Sequence, residues 1–243
     1  MQKPDPQYCK TREALNLVMT HRYLEAQNQQ YISPLDLNTK QYVRNMQFGK
    51  TEIPPLTGNG GGYQDKNNRL AGYQTMLKYR IHKGDPNNFA PRVNILDVLK
   101  NQVSADLIRN RIVLIGFTDR QARQADYWNT PYGDVSGMTL HGQMISQMIS
   151  AVLDNRPLIW WWSVGYETLW MFGWSLVGGI ICWRSQQTLY LLVGAITSVG
   201  CLYIACYLTL VFQSGWVPLV PPALALITTG YGVLFLTHEL RKV

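Results

Sequence analysis

The chain has 243 residues, with 22 Lys and Arg against 15 Asp and Glu, and a mean hydropathy of -0.11 that averages two unlike parts. The first 156 residues carry 19 of the basic and 13 of the acidic side chains, whereas the last 87 are strongly apolar. The basic residues are scattered from Lys10 through Arg44, Lys78 and Arg111 to Arg123 without a run of like charge, which reads as a solvated surface and argues against a nucleic-acid-binding protein.

The polar part is long enough for one globular domain with its own core. Residues 11–27 place Ala14, Leu15, Val18, Met19 and Leu24 at near-helical spacing and predict a helix. Residues 56–68, with Gly58, Gly60, Gly61 and Gly62, predict a loop, because so many glycines cost a regular element too much backbone entropy. Tyr73, Thr75, Leu77, Tyr79 and Ile81 alternate with more polar neighbours and predict a strand. Residues 94–110 repeat apolar side chains at Ile95, Val98, Leu99, Val103, Leu107 and Ile108 and predict a second helix. The run that follows, 112–117, is apolar without alternation and predicts a strand buried on both faces.

Residues 118–136 look like a long loop containing Asp119, Asp126, Asn129, Pro131 and Gly133. Gly137 then precedes a helix over about 139–154, with Leu140, Met144, Met148 and Val152 as its apolar stripe. Buried strand, loop and helix N-terminus form the arrangement in which α/β folds place ligands, since unsatisfied N–H groups and the helix dipole face the strand end. Asp126, Thr130 and His141 fall in or beside that crevice. Each also has an ordinary reading: Asp126 as a turn or cap residue, Thr130 before Pro131 as a loop former, and His141 as a first-turn residue making a backbone contact.

Three apolar runs close the chain. Residues 158–183 carry one acid, Glu167, and residues 188–212 and 216–236 carry no charge. At 26, 25 and 21 residues they would extend about 39, 37 and 31 Å as helices, enough to cross a hydrocarbon core, and three transmembrane helices are expected. Counting back from Trp183 starts the first span near Val164 and leaves Glu167 within a turn of the interface, although an acid in hydrocarbon also marks polar pathways. Arg184 in the first turn and Arg241 and Lys242 in the tail, against no basic residue in 213–215, place the C-terminus in the cytoplasm and the polar domain outside. Arg156 pulls weakly the other way. Trp160, Trp161 and Trp162 then lie at the outer headgroup level. Small residues four apart, Ser175 with Gly179 and Gly194 with Ser198, either let helix backbones approach or simply face lipid.

Residues 1–31 lack an apolar stretch of signal-peptide length, so either an upstream span has been lost or the first apolar run carries the domain across; truncation is the preferred expectation. Cys182, Cys201 and Cys206 lie in the apolar runs, and Cys9 alone in the polar part can form neither an intradomain disulfide nor a cysteine metal site. His21, His82, His141 and His238 include no pair at ligand spacing, so no catalytic constellation is visible. A membrane-anchored hydrolase-like enzyme and an accessory subunit of a transporter are the alternative readings, though a transporter would show more spans and more intramembrane polar residues.

The stretch 111–157 reads RIVLIGFTD, then Asp126, then Thr130-Pro131-Tyr132-Gly133, then GMTLHGQMI and VLDNRPL. It resembles the closing half of the type 2 CHASE domain, and the segment ending in Tyr79-Arg80 and the helix near residues 12–23 resemble the family upstream. The resemblance implies an α/β extracytoplasmic sensor domain over 1–156, followed by three transmembrane helices over 157–243 and a short cytoplasmic tail. It implies a bacterial receptor at the inner membrane, a small-molecule or envelope stimulus, and ligand-binding roles for Arg80, Asp126, Thr130, Pro131, Gly137 and His141. No cofactor, metal or nucleic acid is implied, and a homodimer is expected. Members of the family are typically followed by a cytoplasmic kinase or nucleotide cyclase, and this chain has no such output domain. A separate output partner is therefore expected. A helix ending three residues before Pro157 would pass any displacement of the crevice directly to the first span, by a shift whose size is set by the ligand's differential affinity.

Overall fold

The computed structural model describes residues 13–36, 41–57, 72–82, 84–117, 126–184 and 187–240. Most of the predicted glycine loop lies outside them. The chain divides into two compact units, Met1–Pro55 with Thr75–Leu158, and Leu56–Gln74 with Ile159–Val243.

The first unit is a mixed α/β domain. Helix α1, Leu15–Glu25, buries Thr20 and Leu24 and packs on the long helix α3, Gly137–Leu153. Strands β1 (Tyr31–Ile32), β2 (Met46–Phe48) and β3 (Thr51–Ile53) make a small antiparallel sheet in that order. Met46, Phe48 and Ile53 are buried, and Phe48 stacks on Tyr31 with ring centroids 4.9 Å apart. Strands this short carry too few alternations to be seen by periodicity.

Several expectations need correction. The helix predicted over 94–110 is broken into α2, Ile95–Leu99, and a 3-10 turn at Ala105–Leu107. Asn101 takes a left-handed conformation (φ 55°), which ends α2, and Ser104 caps the new turn by accepting from the Asp106 N–H at 3.3 Å. The predicted loop over 118–136 contains a hairpin in its described part, β4 (Tyr127–Thr130) paired antiparallel with β5 (Gly133–Ser136). The run 112–117 forms no strand and is not buried: Ile115 is 84% and Phe117 72% exposed.

Residues 73–81 likewise join no sheet. Their backbone is instead read by two glutamines of α3. Gln143 accepts from the Arg80 N–H at 2.7 Å and donates to the Arg80 carbonyl at 2.8 Å and the Pro86 carbonyl at 2.6 Å. One turn on, Gln147 accepts from the Lys78 N–H and donates to the Met76 carbonyl at 2.9 Å. The spacing permits this because four helical residues rise about 6 Å, close to the roughly 6.8 Å covered by two extended residues. Met76, Lys78 and Arg80 therefore present their backbone groups to one helix face, as they would to a neighbouring strand. This is why the buried face of α3 contains Thr139, Gln143, Gln147 and Ser150 beside Ile145 and Met148, and departs from the predicted stripe of Leu140, Met144, Met148 and Val152, of which only Met148 is fully buried.

The second unit contains α4 (Val164–Arg184), α5 (Thr188–Gln213) and α6 (Val220–Leu240), with a two-residue parallel pairing of β6 (Trp160–Trp161) and β7 (Gly215–Trp216). Pro221 and Pro222 occupy the first turn of α6, where their missing N–H groups leave no gap in the helix. At one end Trp160 donates to the Gln213 carbonyl at 2.9 Å and Trp170 to the Pro218 carbonyl at 3.3 Å, and Trp162, Trp170 and Trp174 stack edge to face. Helix α4 lies against α6: Ser175 and Thr229 hydroxyls are 2.8 Å apart, and Gly178 meets the backbone of Leu226 so closely that any side chain would collide.

Among the described residues the expectation of three spanning helices is met by two. Helices α5 and α6 are long and apolar enough to cross a membrane. Helix α4 has 21 residues, but Tyr166, Glu167, Trp170, Trp174, Trp183 and its glycines lower its mean hydropathy. It begins at Val164, as the count back from Trp183 anticipates, with Glu167 in its first turn, where an acid complements the helix dipole.

Gln143→Leu, which keeps the volume and strips the amide, should destabilise the full chain by about 2–4 kcal/mol by leaving the Arg80 and Pro86 backbone groups unpaired. Thermal unfolding of the reconstituted protein tests this, and a loss below 1 kcal/mol would show that the glutamine bonds are dispensable.

Candidate functional site

The N-terminus of α3 gathers a polar cluster. Ser136 caps the helix, its Oγ accepting from the Thr139 N–H at 3.3 Å and lying 2.9 Å from Thr139 Oγ1. Arg92 donates through Nη2 to Thr139 Oγ1 at 2.7 Å and to Asn87 Oδ1 at 3.1 Å. Asp85 accepts from both the backbone and side-chain nitrogens of Asn87 at 2.8 Å. These donors, the Asn87 backbone first and its amide second, with the Arg92 charge adding, hold the Asp85 carboxyl below its ordinary value against a smaller opposing effect of burial.

Of the six residues predicted to bind a ligand, Asp126 and Gly137 meet directly. The Gly137 N–H donates to the Asp126 carbonyl at 2.8 Å, and the Asp126 carboxylate occupies the space where a Gly137 side chain would stand. Asp126 Oδ1 also accepts from the Trp128 indole at 2.7 Å. Thr130 and Pro131 form the hairpin turn: Thr130 Oγ1 donates to the Gly133 carbonyl at 2.7 Å and accepts from the Tyr132 N–H at 3.2 Å. Tyr79 bridges this turn to the extended segment, its ring meeting the Tyr132 ring edge-on at 5.3 Å. His141 is half-buried, and its Nδ1 is buried with no hydrogen-bond partner among the described residues.

Arg80 stands apart from the other five. It lines a cavity of about 950 Å³ that follows one stripe of α3 from Met138 to Asp154, and none of the other five does. Its guanidinium lies 3.9 Å from the Asp154 carboxylate, an exposed pair of little energetic weight. Around it cations crowd. Burial first, and the Arg156 charge second, lower the Lys78 pKa; burial, then Arg80, lower that of Arg156. Arg156 reaches this place because Asn155 turns left-handed (φ 51°) at the end of α3, and its Nη2 donates to the Tyr79 carbonyl at 3.0 Å.

Sequence reading missed Gln143, Gln147, Arg92, Thr139 and Arg156. A signal existed for the glutamines: Thr139, Gln143, Gln147 and Ser150 recur at helical spacing on one polar stripe of α3, and two amides four residues apart can offer both donors and acceptors to a packed backbone.

Two outcomes follow from these contacts. Gly137→Ala should destabilise the domain by about 1–3 kcal/mol through collision with Asp126, and Asp126→Ala in the same chain should recover part of that loss; a fully additive double variant would mean the two residues do not touch. Because the native Asp85 pKa lies below its unfolded value, its contribution is present above about pH 4 and lost as pH falls through the lowered value. Asp85→Asn should therefore be less stable than the parent at neutral pH, with the gap closing in acid-unfolding curves below about pH 4.

The family described as the CHASE2 domain matches over residues 2–180. No curated protein and no solved structure matches the chain.

Proposed function

The chain belongs to the CHASE2 domain family, and from that membership we propose that it is the sensory module of a bacterial membrane receptor. The domain faces the extracytoplasmic side, detects a small molecule or an envelope condition, and relays it through three transmembrane helices to a separate cytoplasmic kinase or nucleotide cyclase. Family membership carries this reading, because the family is sensory rather than catalytic. Helices α5 and α6 support anchoring in a bilayer by length and composition. We assign α4 as the third span: its 21 residues reach about 31 Å, and the tryptophans at its start suit the headgroup level.

Within this reading Arg80, Asp126, Thr130, Pro131, Gly137 and His141 serve the stimulus site. The hairpin turn, Tyr79 and the Gln143 amide connect that site to the backbone on which Arg80 sits. Helix α3 ends at Leu153 and α4 begins at Val164, so a displacement of α3 has a short covalent path to the membrane helices. The working receptor is a homodimer.

The number of spans fixes a parity that can be read directly. In a background with the native cysteines replaced by serine, Asn129→Cys should react with a membrane-impermeant maleimide on intact spheroplasts, and Glu239→Cys only after lysis. Labelling of both from the same side would leave two spans. For the relay, Arg80→Ala and His141→Ala should each alter the disulfide cross-linking pattern of single cysteines along α4 without lowering membrane insertion. An unchanged pattern in both would remove the relay.

A further inference from the structure

Segment 112–117 is the place where composition and surroundings disagree most. Its side chains suit a strand covered on both faces, yet only one face is covered. Leu114 lies against Gly142 of α3, and Met138 lies against Gly116. Val113, Ile115 and Phe117 are exposed, and they line the same cavity as Val93 and Ile95 of the neighbouring α2 region. Among the described residues none of the backbone N–H or carbonyl groups of 112–117 is hydrogen-bonded. Such groups need partners once water is excluded, and an unpaired apolar edge is a template for strand addition.

We propose that 112–117 is a docking edge for an extended apolar polypeptide segment with acidic flanks, which adds to it as a β-strand and covers its exposed face. The two halves of this statement rest on different observations. The unpaired backbone calls for a polypeptide, since an alkyl chain could cover the side chains but could not satisfy a row of donors and acceptors. The acidic flanks follow from charge: the cavity beside the segment is lined by Arg80, Arg92 and Arg111 against the single acid Asp154, which already faces Arg80. A second copy of this chain would bring the same excess of arginine to the same edge, and like charges facing each other disfavour that pairing. The proposal concerns a partner on the sensory side and does not depend on the relay to a cytoplasmic output.

The test uses the full chain in zwitterionic lipid nanodiscs and two synthetic peptides of valine and isoleucine, one flanked by glutamates and one by lysines. Hydrogen exchange read by mass spectrometry should show the amides of 112–117 unprotected in the chain alone and protected by the glutamate-flanked peptide. That peptide should bind about tenfold or more tighter than its lysine-flanked twin at low salt, with the difference shrinking as salt is raised. Ile115→Asp, which changes a side chain 84% exposed and so spares the fold, should abolish the protection, and Arg111→Gln should narrow the preference for acidic flanks. Absence of protection, or equal protection by both peptides, overturns the proposal. So does a chain already protected at 112–117 as a dimer without peptide, which makes a second copy the occupant, or protection of the same amides by octanoate, which makes the face an amphiphile site.

Discussion

The arrangement of the polar domain depends on one constraint: an extended segment that pairs with no strand among the described residues must still satisfy its backbone groups where it packs on α3. Gln143 and Gln147 meet that demand from α3, each offering an acceptor and a donor to alternate residues of the segment. An unmet buried donor or acceptor costs about 1–3 kcal/mol, so losing both amides would release several such groups at once. Most of what surrounds the candidate site is placed by this contact. Arg80 is held at the cavity by its own N–H and carbonyl, Tyr79 is turned the opposite way toward the hairpin, and Arg156 can then reach the Tyr79 carbonyl. The geometry also quantises the register, because the segment can only shift along α3 by two residues at a time without breaking every bond.

Long elements with strong periodicity were legible in the amino-acid sequence, and interactions between side chain and backbone were not. Helix α3 starts and ends within about two residues of the predicted bounds, because Ser136 provides a cap and Pro157 prevents continuation. The same periodicity that reveals a helix cannot show which face is buried when the burying partner is polar, and so the apolar stripe of α3 was misjudged while Gln143 and Gln147 passed unnoticed. The α2 region failed for a different reason: its apolar spacing is helical, but Asn101 and Ser104 offer a left-handed turn and a fresh cap, and short-range hydrogen bonds prevail over the pattern. Segment 112–117 is the reverse case, where local composition asks for burial that the described residues do not provide.

Of the six residues expected at the site, the structure joins some by contact and sets Arg80 apart. Asp126 and Gly137 touch, and Thr130 with Pro131 forms a turn whose Tyr132 reaches Tyr79. The link from that turn to Arg80 runs through its neighbour Tyr79, whose ring meets Tyr132, while Gln143 anchors the Arg80 backbone.

The close approach of α4 and α6 at Gly178 bears on how the membrane part comes into being. Judged alone, α4 is too rich in glycine, tyrosine and tryptophan to partition strongly into lipid, and its small-residue face is matched by a helix that follows it in the chain. The contacts of α4 with α6 at Gly178 and Ser175 are complete only once both helices are present. A substitution in α6 at Leu226 or Thr229 would thus be felt as a defect in retaining α4, some 50 residues earlier in the chain.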